Sequence, residues 1–318
     1  MNLPTGEAGP VDIPGLSVIE RGWLSANQVV VRASGRTPAT VIDTGYVAHA
    51  PQTLALVDHA LGGEPLGRVV NTHLHSDHCG GNAAFQARGD VDTWIPAPSV
   101  AAVAAWDQAR LSYRYTDQRC DRFAVDHALV PGEHIDIGPA RWQIHAAPGH
   151  DMDAILLFEP QTRTLVAGDA LWHDRLAIIF PELVGRDGFG PASATLDLIE
   201  SLRPRVVVPG HGPVFSDVDA ALAASRERIA AFRQKPERHV QHAARALAMF
   251  HMLEVRQVEA DVLARWMVAT PVYQDVALRA GLDDAGALDW ARQVVDSLVA
   301  QAVLLAEGDT VRVPAAAR

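Results

Sequence analysis

Up to about Ser216 the chain alternates short apolar runs, rich in β-branched residues, with polar turns, and runs of that length read as strands. Residues 18–20, 28–32 and 40–43 form an opening meander. Between Pro51 and Leu61 the spacing changes: Leu54, Val57 and Leu61 share one helical face, and Gly62-Gly63 stops the helix. Residues 68–72 then read as a buried strand, and strand-then-loop units follow at 141–145, 154–158, 164–167 and 205–208. Loops at such strand ends are where α/β enzymes place their chemistry. From Asp217 onward the pattern becomes helical and rich in Ala, Leu and Arg, over 220–233, 240–253, 260–267 and 287–300. Residues 302–305 and 310–313, joined by Glu307-Gly308-Asp309, close the chain as a hairpin. The expected organisation is an α/β domain over 1–216 and a smaller, mainly helical domain over 217–318.

Composition narrows the class. A chain of 318 residues supports one large domain with a small one attached, and 20% charged residues suit a soluble globular enzyme better than a disordered chain. Two cysteines exclude a disulfide framework. The net charge of −11 gives no general attraction to phosphate backbones or anionic lipid. No basic segment followed by an apolar run opens the sequence and no stretch reaches membrane-spanning length, so the expectation is a cytoplasmic protein without a membrane partner. Lys235 is the single lysine among 27 basic residues, which removes lysine chemistry from the body of the chain, while the 14 histidines shift attention to metal binding.

The densest chemistry follows the 68–72 strand, in Thr72-His73-Leu74-His75-Ser76-Asp77-His78-Cys79-Gly80-Gly81-Asn82. Three imidazoles and a carboxylate within six residues can be aimed at a common centre from one loop. Three further strand ends each carry one donor beside glycine: His150 in Ala147-Pro148-Gly149-His150, Asp169 in Ala167-Gly168-Asp169-Ala170, and His211 in Pro209-Gly210-His211-Gly212-Pro213.

The ordered set HxHxDH, PGH, GDA and PGHGP resembles the metallo-β-lactamase superfamily over roughly the first two-thirds of the chain. The resemblance implies an αββα sandwich with a dinuclear metal site at one edge of its two sheets. It also implies the ligand roles: His73, His75 and His150 on one metal, Asp77, His78 and His211 on the other, and Asp169 bridging both. Five imidazoles and two carboxylates suit two divalent ions, Zn first, with Fe or Mn also admitted by the donor set. Asp77 is the candidate for orienting the nucleophile and carrying its proton to the leaving group. Asp43 matches the family's aspartate at an early strand end, where it would fix a ligand imidazole's tautomer; starting an Asx turn before Gly45 is the alternative.

Other candidates read differently. Trp172, His173 and Arg175 stand close enough to Asp169 to line a pocket. Tyr46, Cys79 and Cys120 read as packing residues and a free thiol, and residues 113–119 as an amphipathic insertion over the pocket. The helices with their terminal hairpin look like a winged-helix module, and the overall layout is similar to β-lactamase-like endoribonucleases. Yet residues 217–318 hold 12 basic and 14 acidic side chains, so charge argues against nucleic acid and for a pocket wall or a homodimer surface. His78 stands where class B β-lactamases of the HxHxDR kind carry arginine, and the glutathione-recognising basic residues of glyoxalase II have no counterpart legible in the sequence. The expected activity is therefore hydrolysis of a small ester, thioester or lactone by a metal-bridging hydroxide. The alternatives are a single-strand-specific RNA phosphodiesterase and a mononuclear iron persulfide dioxygenase.

Overall fold

A computed structural model describes residues 11–315. Strands β1 (Leu16–Ile19), β2 (Gln28–Val31), β3 (Ala39–Ile42), β4 (Leu66–Val70), β5 (Asp92–Pro96) and β6 (His127–Leu129) lie side by side in chain order as one sheet. The first three pair antiparallel and the rest parallel. A second sheet takes β7 (His134–Ile137), β8 (Ala140–Ala146), β9 (Ile155–Glu159), β10 (Thr164–Gly168) and β11 (Val206–Pro209). Here β10 and β11 are parallel and the other pairs antiparallel.

Alternation along the strands dictates how the sheets stack. Val29, Val31, Ile42 and Val70 of the first sheet share one cluster with Trp142, Ile144, Leu157 and Val166 of the second, so these residues form the inter-sheet core. Their neighbours point the other way. Val30, Val41 and Val69 meet Val57 and Leu61 of the helix Ala50–Leu61, while Leu156, Leu165 and Val207 meet Leu196 and Ile199 of the helix Phe189–Leu202. The result is the expected αββα sandwich. The Ala50–Leu61 helix ends as its glycines require, with Gly62 left-handed at φ 65°.

The helix Val218–Gln234 also packs against this layer, placing Val218, Leu222, Ile229 and Phe232 in the cluster of Leu165 and Val207. The helices Pro236–Val255, Ala260–Ala269, Pro271–Arg279 and Asp284–Ala300 gather around a separate core of Leu247, Met252, Leu263, Met267, Val294 and Leu298. A three-stranded antiparallel sheet adjoins them: β12 (Gln257–Glu259) and β13 (Leu305–Glu307) flank β14 (Thr310–Arg312). It exceeds the expected hairpin by β12. Ile178 and Leu183 join this second core from the segment that leads away from Asp169. No helix among the described residues is long and apolar enough to cross a membrane.

Candidate metal centre

All seven predicted donors converge at one end of the sandwich, where β4, β8, β10 and β11 are linked to the loops that follow them. The β4 strand delivers His73 and His75, and a single helical turn, Ser76–Cys79, carries Asp77 and His78. His150 follows β8, Asp169 ends β10, and His211 lies just past β11. Three overlapping groups result, each with its donor atoms within 4.8 Å of one another: His73, His75 and His150; His73, His78 and Asp169; and Asp77, His78 and His211.

The hydrogen bonds behind the cluster fix which ring nitrogens face inward. Asp43 Oδ2 accepts from His78 Nδ1 at 2.8 Å and from the Thr72 hydroxyl at 2.8 Å, and Asp43 Oδ1 accepts from the Thr72 amide at 2.9 Å. Thr72 Oγ1, having given its proton to Asp43, accepts from His73 Nδ1 at 3.2 Å. His150 Nδ1 donates to the Ile178 carbonyl at 2.5 Å. Each donation turns the opposite Nε2 of His73, His78 and His150 into the cluster, with a free lone pair on the neutral rings of His73 and His150. His150 Nε2 and His75 Nδ1 stand 2.7 Å apart, His75 Nδ1 and His73 Nε2 3.1 Å apart, and the buried His78 Nε2 has no hydrogen-bond partner. Lone pairs converging at such separations fit cations between them, and a donor set of nitrogen and carboxylate oxygen without thiolate fits divalent ions of the zinc kind.

Electrostatics point the same way. Burial first, then neighbouring imidazoles, hold His73 well below its ordinary value, and burial pushes His75 and His150 down to about 4. These rings are neutral donors at physiological pH, as metal ligation requires. Burial also opposes a proton on His78, but Asp169, Asp43 and Asp77 outweigh it and raise the ring well above its usual range. For Asp169 and Asp77 burial favours the protonated acid, yet His78 and His211 prevail and keep both as carboxylates. The backbone makes room for this crowding: a Cβ at Gly210 would collide with Asp169 Oδ1 and lie 2.8 Å from His78 Cε1. Asn27 braces the same corner, donating from Nδ2 to the Pro209 and Gly212 carbonyls.

The cluster opens into a cleft of about 1060 Å³ that runs between the sandwich and the helix Pro236–Val255. Trp172 and Arg175 line it as the sequence suggests, and Trp172 Nε1 donates to Asp169 Oδ1 at 3.1 Å. His173 instead rests on Phe215, outside the lining. Tyr46 is buried and donates to Glu254 Oε2 at 2.7 Å while its ring meets Phe250 edge-on, a packing role. Cys79 Sγ faces Tyr113 Oη and lies 3.8 Å from Cys120 Sγ, away from the donor groups. The 113–119 insertion contributes Thr116 and Gln118 to the cleft, and Gln118 accepts from Ser76 Oγ at 2.6 Å. Sequence reasoning missed Trp23, stacked on His211 at 5.3 Å, and Phe180, against His75 and His150 at 5.0 and 5.5 Å. It missed as well the cleft arginines Arg228, Arg238 and Arg245, which no local motif announces.

The Metallo-beta-lactamase superfamily model matches residues 21–211, a span that holds every donor. The chain belongs to the metallo-β-lactamase superfamily. Among its superfamily relatives, the bovine acyl-coenzyme A thioesterase MBLAC2 is 26% identical over 220 residues, covering 62% of this chain and 77% of that protein. The hydroxyacylglutathione hydrolase of Methylococcus capsulatus is 28% identical over 212 residues, covering 61% and 71%. A β-lactamase domain protein from Burkholderia ambifaria superposes with a TM-score of 0.55 at 20% identity, over 95% of this chain and 94% of that one. A metallo-β-lactamase family protein from Thermus thermophilus does so at 0.53 and 17%, over 95% and 99%. The shared fold thus extends across the helical C-terminal region.

Proposed function

We propose that this metal-dependent hydrolase cleaves thioesters, with His73, His75 and His150 holding one divalent ion, Asp77, His78 and His211 a second, and Asp169 shared between them. The observation that carries the reading is the convergence of these seven donors in a long cleft whose lining includes the apolar Ile178, Phe180, Leu247 and Phe250. Two relatives whose names specify removal of an acyl group from a thiol carrier support the thioester within the wider ester and lactone class. When bound, such ions polarise a carbonyl oxygen and lower the pKa of water.

The chain's own residues supply the rest. Phe180 and Ile178 present an apolar surface beside His75 and His150, where an acyl group sheds water. Asp77 lines the cleft, and its Oδ2 lies 3.0 Å from His211 Nε2. The remaining oxygen, Oδ1, is the group that takes the proton of the attacking water and returns it to the departing thiolate. Asp43 positions His78 and, through Thr72, His73, so that neither ring can turn its lone pair away. Residues 217–318 act as a second domain that walls the cleft, its first helix also completing the outer layer of the sandwich.

Turnover of a matched panel tests the reading: an acyl thioester, a lactone, an alkyl ester and a fluorogenic single-stranded RNA. The thioester is expected to be hydrolysed with the highest kcat/KM, and preferential cleavage of the RNA would overturn the proposal.

A further inference from the structure

The cleft continues beyond the donor cluster, and its far part has a different character. One wall is the segment 174–180. At the metal end the Ile178 carbonyl holds His150, and two residues earlier the Leu176 carbonyl accepts from His242 Nε2 at 3.1 Å. Those two residues span at most about 7 Å. The opposite wall is the helix Pro236–Val255, on which Arg238, His242 and Arg245 follow one another at four- and three-residue steps and so share a face. Further along that face the lining becomes apolar, with Met249, Phe250 and Leu253.

Around His242 the positive charge is concentrated. Besides burial, Arg228, Arg245 and Arg175 each disfavour a proton on His242, which places three guanidiniums from three separate segments about one ring. Their own partners are mostly neutral: Arg245 donates to Gln301 Oε1 at 2.6 Å, Arg228 to the Asp174 backbone carbonyl at 3.0 Å, and Arg175 lies 4.9 Å over Trp23. Arg175 also has the Asp174 carboxylate at 4.0 Å, and Glu237 is the other acid lining this part. No carboxylate of the described residues lies within 4.0 Å of Arg228, Arg238 or Arg245. Four arginines against two acids leave a cationic strip in a chain that is acidic overall. From Arg238 to Arg245, seven residues at 1.5 Å per residue, the strip is about 10 Å long.

We propose that Arg175, Arg228, Arg238 and Arg245 form a subsite for phosphate groups on the substrate's thiol carrier, so that the substrate class is the acyl thioester of a phosphate-bearing carrier. The inference rests on the thioester-hydrolase reading above and names the carrier. A strip about 10 Å long suits several phosphate charges in a row better than one carboxylate, and planar guanidinium forks match phosphate oxygens in pairs. The apolar wall then faces the acyl chain, and the scissile bond lies between the two.

The test compares butyryl-coenzyme A with the phosphate-free S-butyryl-N-acetylcysteamine, and with S-lactoylglutathione, on zinc-loaded wild type and on the double variant Arg228→Gln/Arg245→Gln. Wild type is expected to favour the phosphate-bearing thioester. The double variant should lower that preference ratio at least about tenfold, chiefly through KM, as loss of charge-assisted hydrogen bonds implies. A wild-type preference for S-lactoylglutathione, or a ratio the double variant leaves unmoved, overturns the proposal. Calorimetric binding of adenosine 3′,5′-bisphosphate keeps the subsite separable from turnover. Binding that weakens at least about tenfold in the double variant supports the subsite even if no thioester is hydrolysed, which would sink the hydrolase reading alone. Equal binding by both proteins, or none by wild type, overturns the subsite.

Discussion

Asp43 shows how far a single residue reaches into the site. It binds no neighbour in the donor cluster except through hydrogen bonds to His78 and Thr72, yet those bonds decide the tautomers of two rings. Asp43→Asn, which trades an acceptor oxygen for a donor amide, is expected to weaken metal affinity about 10–100-fold, measured by competition with a chelator. Unchanged affinity would show that the backbone alone orients the rings. The buried imidazoles also set a pH window. In the metal-free chain His75 and His150 titrate near 4 because burial disfavours their charge, below the ordinary value near 6.5. Between 6.5 and 4 the unfolded chain therefore binds more protons, and stability falls as pH drops, by about 1.4 kcal/mol per pH unit for each ring. His78, raised instead, adds nothing in that window, since it is protonated there in both states. A melting temperature of chelator-treated protein that stays flat from pH 6.5 to 4 would contradict this. At this scale the seven candidate donors were legible because four crowd one strand exit and the other three each follow a strand beside glycine. Of the cleft arginines only Arg175 was, because 228, 238 and 245 join it only through tertiary packing.

At the scale of elements, short apolar runs rich in β-branched residues carried the prediction of the strands that flank the site, and β3, β4, β8, β9, β10 and β11 lie within one or two residues of expectation. β5, β6 and β7 escaped it. β6 has three residues of which His127 and Ala128 are exposed, too short for a periodic signal, and β7 alternates exposed with buried over only four. The helix Val218–Gln234 was expected, but its allegiance was not: composition groups it with the C-terminal helices, whereas Leu222 and Phe232 pack on the outer face of β10 and β11. Trp142, wholly buried between the sheets, tests the sandwich itself. Trp142→Ala is expected to cost about 3–5 kcal/mol, and Leu222→Ala about 2–5 kcal/mol, in urea unfolding. A negligible effect of Leu222→Ala would detach that helix from the catalytic sandwich.

For the whole molecule, the net charge of −11 disguises a cleft that brings a cluster of candidate metal donors and four arginines together. A net negative chain with a cationic cleft favours small anionic substrates over long polyanions, which the overall charge repels. Activity on a phosphate-bearing thioester should accordingly fall with ionic strength more steeply than activity on its uncharged analogue, and parallel salt curves would remove the electrostatic contribution. Underneath every claim about the substrate lies the metal centre. Elemental analysis of the wild-type protein beside Asp169→Ala addresses it most directly. Two divalent ions per chain are expected in the wild type, and fewer than one after loss of the carboxylate shared by both half-sites. A single iron in the wild type, or undiminished metal in the variant, would contradict the assignment.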